Sequence, residues 1–188
     1  MNFRTLTLAA MLSVASLSGA AVYAQENPMV GGAAMSADKN IIENAVNSAD
    51  HTTLVAAVQA AGLVETLSGP GPFTVLAPTN EAFAALPAGT VETLLKPENK
   101  EMLSTILACH VIPAKALSTD IVGMVEADGG EHVVDTVGGC KLTLKAADGK
   151  VTVTDENGTV ANVTIADVIQ SNGVIHVIDA VLTPKSAM

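Results

Sequence analysis

The chain of 188 residues carries nine lysines and arginines against nineteen carboxylates, for a formal net charge of −10, and only 2% of it is aromatic. Nucleic-acid recognition rests on phosphate neutralisation by Lys and Arg and on stacking by rings or guanidinium groups; here the charge is adverse and the stacking groups are scarce, so that class is excluded. The length suits one domain that buries about 70% of its unfolded surface.

Residues 1–24 read as a secretory signal peptide. Arg4 supplies the positive n-region, a mostly apolar run from Leu6 to Leu17 follows, and Val22-Tyr23-Ala24 presents small residues at the two positions a signal peptidase reads. The run is too short and too interrupted by serine for a membrane span, which needs about 20 apolar residues. The expected protein is soluble and exported, periplasmic or extracellular, without stable membrane insertion, and begins at Gln25. Beyond the leader there is no arginine, tyrosine or tryptophan, and Phe73 and Phe83 are the only phenylalanines.

Residues 25–37 lack periodicity and read as a flexible N-terminal linker. A helix is predicted over 40–47, with Asp38 as its cap and Ile41, Ile42, Ala45 and Val46 on one face. Thr52 is placed to cap the next helix, whose apolar stripe is Leu54, Val55, Ala57, Val58 and Ala61; Gly62 suits its C-terminal turn. A short turn over 64–67 ends at Gly69-Pro70-Gly71-Pro72. A strand over 73–77 is stopped by Pro78, and Thr79 caps a helix with Glu81 in its first turn. A helical turn over 91–95 precedes the longest helix, opened by Pro97 and carrying Met102, Leu103, Ile106 and Leu107. It runs into a strand over 109–112, and a short helix follows over 117–124.

From Glu131 the period changes to two. Strands are predicted over 132–137, 140–146, 150–154 and 159–165, with Asp148-Gly149 and Asn157-Gly158 as turns. A last strand over 174–178 follows Asn172-Gly173. Helices first and a meander after argue for an α+β domain over 38–184, with a tail at 185–188.

Cys109 and Cys140 form an even count in a compartment that permits disulfides, which points to a bridge. It would close a loop of about 30 residues, worth about 3–4 kcal/mol in the chain-entropy model. The alternative is two buried, reduced thiols acting as small hydrophobes.

Three segments in order carry a family resemblance: Phe73-Thr-Val-Leu-Ala-Pro-Thr-Asn-Glu-Ala-Phe83, Ile106-Leu-Ala-Cys-His-Val-Ile112 and Asn172-Gly-Val-Ile-His-Val-Ile-Asp-Ala-Val-Leu182. Together they resemble the signatures and the Tyr-His element of fasciclin-type (FAS1) domains, over residues 38–184. The resemblance implies a β-wedge of two sheets with several helices packed to one side. It also implies a secreted or surface-attached module of a family associated with adhesion, extracellular matrix or bacterial contact with hosts and surfaces, here a single-domain secreted bacterial member, and no catalytic activity or cofactor.

Carried over residue by residue, Phe73, Pro78, Thr79, Asn80, Phe83, His110, Asn172, Gly173, His176 and Asp179 are structural signature positions. A buried hydrogen bond from His110 to the Thr79–Asn80 turn is expected. The family's tyrosine is Cys109 here. If the strands that Cys109 and Cys140 open are neighbours, a bridge would occupy the place where the aromatic packs. Asp167 and Val168 match the Asp-Ile pair of the integrin motif in adhesive animal members and are candidate interaction residues. Ile165 stands where that motif has Asn, so integrin binding itself is not carried over.

His51, His110, His132 and His176 lack metal-ligand spacing, and the acidic residues form turns rather than a calcium loop. No nucleophile elbow, phosphate loop or dinucleotide fingerprint appears. Cys109 and His110, adjacent on a strand, would point to opposite faces and could not pair as nucleophile and base. The expectation is a non-catalytic interaction or adhesion module whose partner is a protein, envelope or matrix component. The alternative is a carrier of a lipid or carotenoid-like ligand.

Overall fold

The computed structural model describes residues 27–185. The signal-peptide assignment and the last three residues of the expected tail lie outside them. Strands β1 (Met29–Val30) and β2 (Ala33–Ala34) form a small hairpin. Helices α1 (Ile41–Ala45), α2 (Thr52–Ala61) and α3 (Val64–Ser68) follow, then strand β3 (Phe73–Pro78) and helices α4 (Asn80–Ala84), α5 (Thr90–Leu94) and α6 (Lys100–Ala108). After β4 (Val111–Ile112) and α7 (Ser118–Ala127) come β5 (His132–Asp135), β6 (Lys141–Ala147), β7 (Lys150–Thr154), β8 (Val160–Gln170) and β9 (Gly173–Ile178).

Seven strands run in the order β4-β3-β9-β8-β7-β6-β5. The two outer signature segments lie side by side as parallel strands, from Phe73↔Gly173 to Pro78↔Ile178. Strand β8 is shared by the two halves of the wedge: residues 160–162 pair with β7, and residues 163–170 pair with β9 through two register shifts. Asp167 sits in that irregular stretch at φ 58°. The strand therefore continues five residues past its predicted end, because a bulge breaks the two-residue period that sequence reading follows.

The two faces of β3 and β9 serve two cores. Val75, Ala77, Ile175 and Val177 pack with Leu54, Val58, Leu103, Ile106 and Phe83 from the helices, with Phe73 partly buried against them. Leu76 and Ile178 point the other way, into a core completed by Leu142, Leu144, Val151 and Val153 and by Ile121 and Val125 of α7. Most helices lie to one side, as the resemblance implied; α7 does not, and packs against β5, β6 and β7.

Several local expectations are corrected. Residues 29–35 are not a loose linker: Val30 and Met35 are buried in the helix-side core, and the Gly31 carbonyl accepts the Ala49 N–H at 3.1 Å. The cap of α1 is Asn40, in a capping box with Glu43, rather than Asp38. Thr52 does not cap α2, which continues from a 3-10 turn over Ala49–His51. Helix α6 is preceded by a 3-10 turn at Pro97–Asn99 and is one residue shorter than α2 and α7. Cys109 is the αR C-cap of α6, not a strand residue. Gly62, at φ 75°, closes α2 in the left-handed conformation its position requires.

Candidate functional site

The polar signature residues are spent on holding backbone segments together. Thr79 caps α4 by accepting the Ala82 N–H at 3.3 Å. Asn80 joins α4 to the start of α2: its Oδ1 accepts from Thr53 N at 3.0 Å and Thr52 Oγ1 at 3.2 Å, and its Nδ2 donates to Ala49 O at 2.8 Å. Asn172 binds two segments, accepting from Ile41 N at 3.1 Å at the start of α1 and donating to Leu67 O at 2.8 Å and Gly69 O at 3.0 Å at the end of α3. Asp179 accepts from the backbone and side chain of Asn162 at 2.7 and 2.8 Å.

His110 is not bonded to the Thr79–Asn80 turn. Its Nδ1 donates to Ile106 O at 2.8 Å, and its Nε2 accepts the Leu182 N–H at 2.9 Å. The ring lies after a helix end rather than on a strand, which turns it toward the chain leaving β9. His176 is satisfied in the same way: Nε2 donates to Ala116 O at 2.8 Å and Nδ1 accepts the Asp167 N–H at 3.3 Å. Both rings are thus fixed as neutral tautomers. Burial pushes His110 down to about 4, against the opposing Ile106 carbonyl and Asp155. It lowers His176 as well, opposed by the Ala116 carbonyl and Asp167.

Of the candidate interaction pair, Val168 is fully buried and Asp167 is partly exposed. The Asp167 carboxylate accepts the Ser118 N–H at 2.6 Å and the Ser118 hydroxyl, tying β8 to the start of α7. The stretch of β8 that carries the pair is irregular, with register shifts between Val163 and Val168.

Gly173 is required by close backbone approach: a Cβ there would lie 2.1 Å from the Phe73 carbonyl oxygen, and one on Gly71 would lie 1.9 Å from that of Asn172. The parallel pairing of the two signatures depends on this lack of side chains.

Cys109 and Cys140 are bridged, with Cα atoms 5.3 Å apart. The bridge does not join neighbouring strands, since β4 and β6 are separated in the sheet order. It joins the end of α6 to the loop before β6, where Gly138 N donates to Ala108 O at 3.0 Å and Val137 N to Val111 O at 2.8 Å. The pairing leaves the Cys109 sulfur no thiolate for nucleophilic chemistry.

Some structural polar residues carry no motif. Asp155, read as a turn residue, is buried; its carboxylate accepts from Asn157 N, Thr159 N and Thr183 N at 2.8–2.9 Å and so anchors the C-terminal segment. Buried Asn44 joins Ser36 to Gln170. The Nδ1 of His51 lies 2.9 Å from Ser48 Oγ; its Nε2 makes no hydrogen bond of good geometry. Burial lowers its pKa, opposed by the Ala77 backbone and Asp50. His132 donates to Asp128 at 2.6 Å on the surface. Among the described residues no three His, Cys, Asp or Glu side chains gather as metal ligands, and no helix is long and apolar enough to cross a membrane.

Two apolar spaces lie on the helix side. One, of about 40 Å³, is closed by Val30 and Met35 of the N-terminal segment and touches His51. The other, of about 360 Å³, opens between α5 and α6 and is lined chiefly by Phe83, Leu86, Leu94, Met102, Leu103 and Ile106. Sequence reading did not find it: its walls come from three helices whose stripes look like ordinary core faces.

A fasciclin-domain family model matches residues 49–184. The chain is 50% identical over 160 residues to protein sll1483 of Synechocystis sp., covering 85% of this chain and 82% of that protein. It is 31% identical over 174 residues to immunogenic protein MPB70 of Mycobacterium bovis, covering 89% and 81%. Among solved structures it is similar to a FAS1 domain pair from the insect cell adhesion molecule Fasciclin I. The TM-score is 0.70 at 17% identity, over 79% of this chain and 52% of that one, so this chain spans about half of the pair.

Proposed function

The chain belongs to the fasciclin domain family, and from that premise we propose that it is an exported, non-catalytic interaction module that meets a protein, envelope or matrix partner through its surface. One observation carries the reading: the polar side chains of the signatures hold the fold together. Asn80, His110, Asn172, His176 and Asp179 each spend their hydrogen bonds on backbone or neighbouring structural groups. A domain built this way presents an outer face rather than a reactive centre. Crosslinking the exported protein in its native host, followed by identification of what is captured, tests the proposal. Repeated recovery of one envelope or matrix component supports it. Recovery of the protein uncrosslinked at every surface, together with a turnover abolished by a point mutation, overturns it.

A second reading, a carrier of a lipophilic ligand, is favoured by the apolar pocket of about 360 Å³ between α5 and α6.

A further inference from the structure

The pocket between α5 and α6 has the size and lining of a ligand site. Its volume of about 360 Å³ lies within the range of about 300–1,000 Å³ typical of small-molecule sites, which are apolar with a few polar groups. The floor is made of buried core side chains, Phe83, Leu103 and Ile106. The outer wall is α5, a helix of five residues with none of them buried, so this wall is weakly tied to the core. Met102, 45% exposed, borders the pocket.

The charges decide which lipophile fits. The lining contains no Asp, Glu or Lys; its polar side chains are Thr90, Thr93, Thr183 and His110. Both His110 nitrogens are already committed, to Ile106 O and Leu182 N. An ionised headgroup brought against these walls would lose its hydration without finding a counter-charge. The chain's net charge of −10 further disfavours an anionic lipid. At about 30 Å³ per water-sized unit of liquid, the space holds on the order of ten such units. That is the size of a medium-chain aliphatic compound and a fraction of a carotenoid.

We propose that the α5–α6 pocket binds an uncharged medium-chain lipid, its chain against Phe83, Leu103 and Ile106 and its neutral polar end toward Thr90 and Thr93, since the Thr183 hydroxyl is already bonded to Asn157 and Asp155. This rests on the carrier reading and narrows it to one site and one ligand class.

The test uses the full exported protein and fluorescence of the uncharged probe N-phenylnaphthylamine, displaced by decanol, decanoate or decylamine. A tryptophan-free chain gives little background. Decanol is expected to displace the probe, with decanoate and decylamine weaker by about tenfold or more. Met102→Trp, at a half-exposed wall position, and Thr93→Trp, on exposed α5, are each expected to weaken decanol about tenfold. Val160→Trp, on an exposed face of β8, is expected to change nothing. Decanol binding unchanged in both pocket variants, with their thermal unfolding also unchanged, overturns the site while the carrier reading stands. Equal displacement by decanoate or decylamine overturns the ligand class. No binding of probe or of any of the three compounds overturns both.

Discussion

His110 accepts the Leu182 N–H through Nε2 at 2.9 Å, across 72 residues of sequence, and that bond exists only while the ring is neutral. A protonated imidazole has no acceptor, so charging His110 breaks the tie between the end of α6 and the chain leaving β9.

The consequence is a stability that falls in mild acid. The unfolded ring takes its proton near 6.5, whereas the folded ring is pushed down to about 4 by burial. Between those values the unfolded state binds more protons, so stability rises with pH there and is lost as pH falls. The contribution of His110 is fully present above about 6.5 and is lost as pH falls toward 4, on the order of 3 kcal/mol. His51 and His176, also lowered by burial, act in the same direction. Urea denaturation at neutral pH and near pH 4.5 is expected to show the loss; equal midpoints at both would contradict it.

Asn172→Ala removes three ties at once, leaving Ile41 N–H, Leu67 C=O and Gly69 C=O without their partner. At about 1–3 kcal/mol for a group left unsatisfied, reduced where water reaches it, the expected destabilisation is about 2–4 kcal/mol. Chemical unfolding measures it, and a change well under 1 kcal/mol would show that water replaces the side chain.

Reducing the Cys109–Cys140 bridge reopens a loop with a sequence separation of 31, worth about 3–4 kcal/mol in the chain-entropy model. The paired variant Cys109→Ala/Cys140→Ala should lose a similar amount while keeping the fold. Alkylation of exported protein under denaturing, non-reducing conditions is expected to add no mass. Two alkyl groups added before reduction would show that the bridge does not form.

Removal of residues 1–24 leaves a chain with no tryptophan or tyrosine. The exported protein should therefore absorb almost nothing at 280 nm. Strong absorbance there in pure protein of the mature mass would reveal a bound chromophore, and at the full-length mass a retained leader.

Much of the fold was legible in particular residues. Gly62, Asp148-Gly149 and Asn157-Gly158 marked real ends and turns, because a positive φ or a tight hairpin leaves few residue types to choose from. Strand β7 was read to its exact bounds, since Lys150–Thr154 keeps an unbroken alternation. Strand β8 was cut short because its register shifts destroy that alternation. The hairpin at residues 29–34 was missed because elements of two residues have no period to read.

The sequence by itself determined the family and the order of the elements from α1 to β9. It did so through local chemistry, namely periodicity, caps and turn residues. Only the tertiary structure decided what each polar side chain holds: Leu182 rather than the Thr79–Asn80 turn for His110, Ser118 for Asp167, and a helix end for the disulfide. Periodicity reports which way a side chain faces, whereas its partner depends on which segment the sheet order brings opposite. The parallel pairing of β3 with β9 and the bulge in β8 set that arrangement: the pairing joins segments distant in sequence, and the bulge interrupts the period a strand would show.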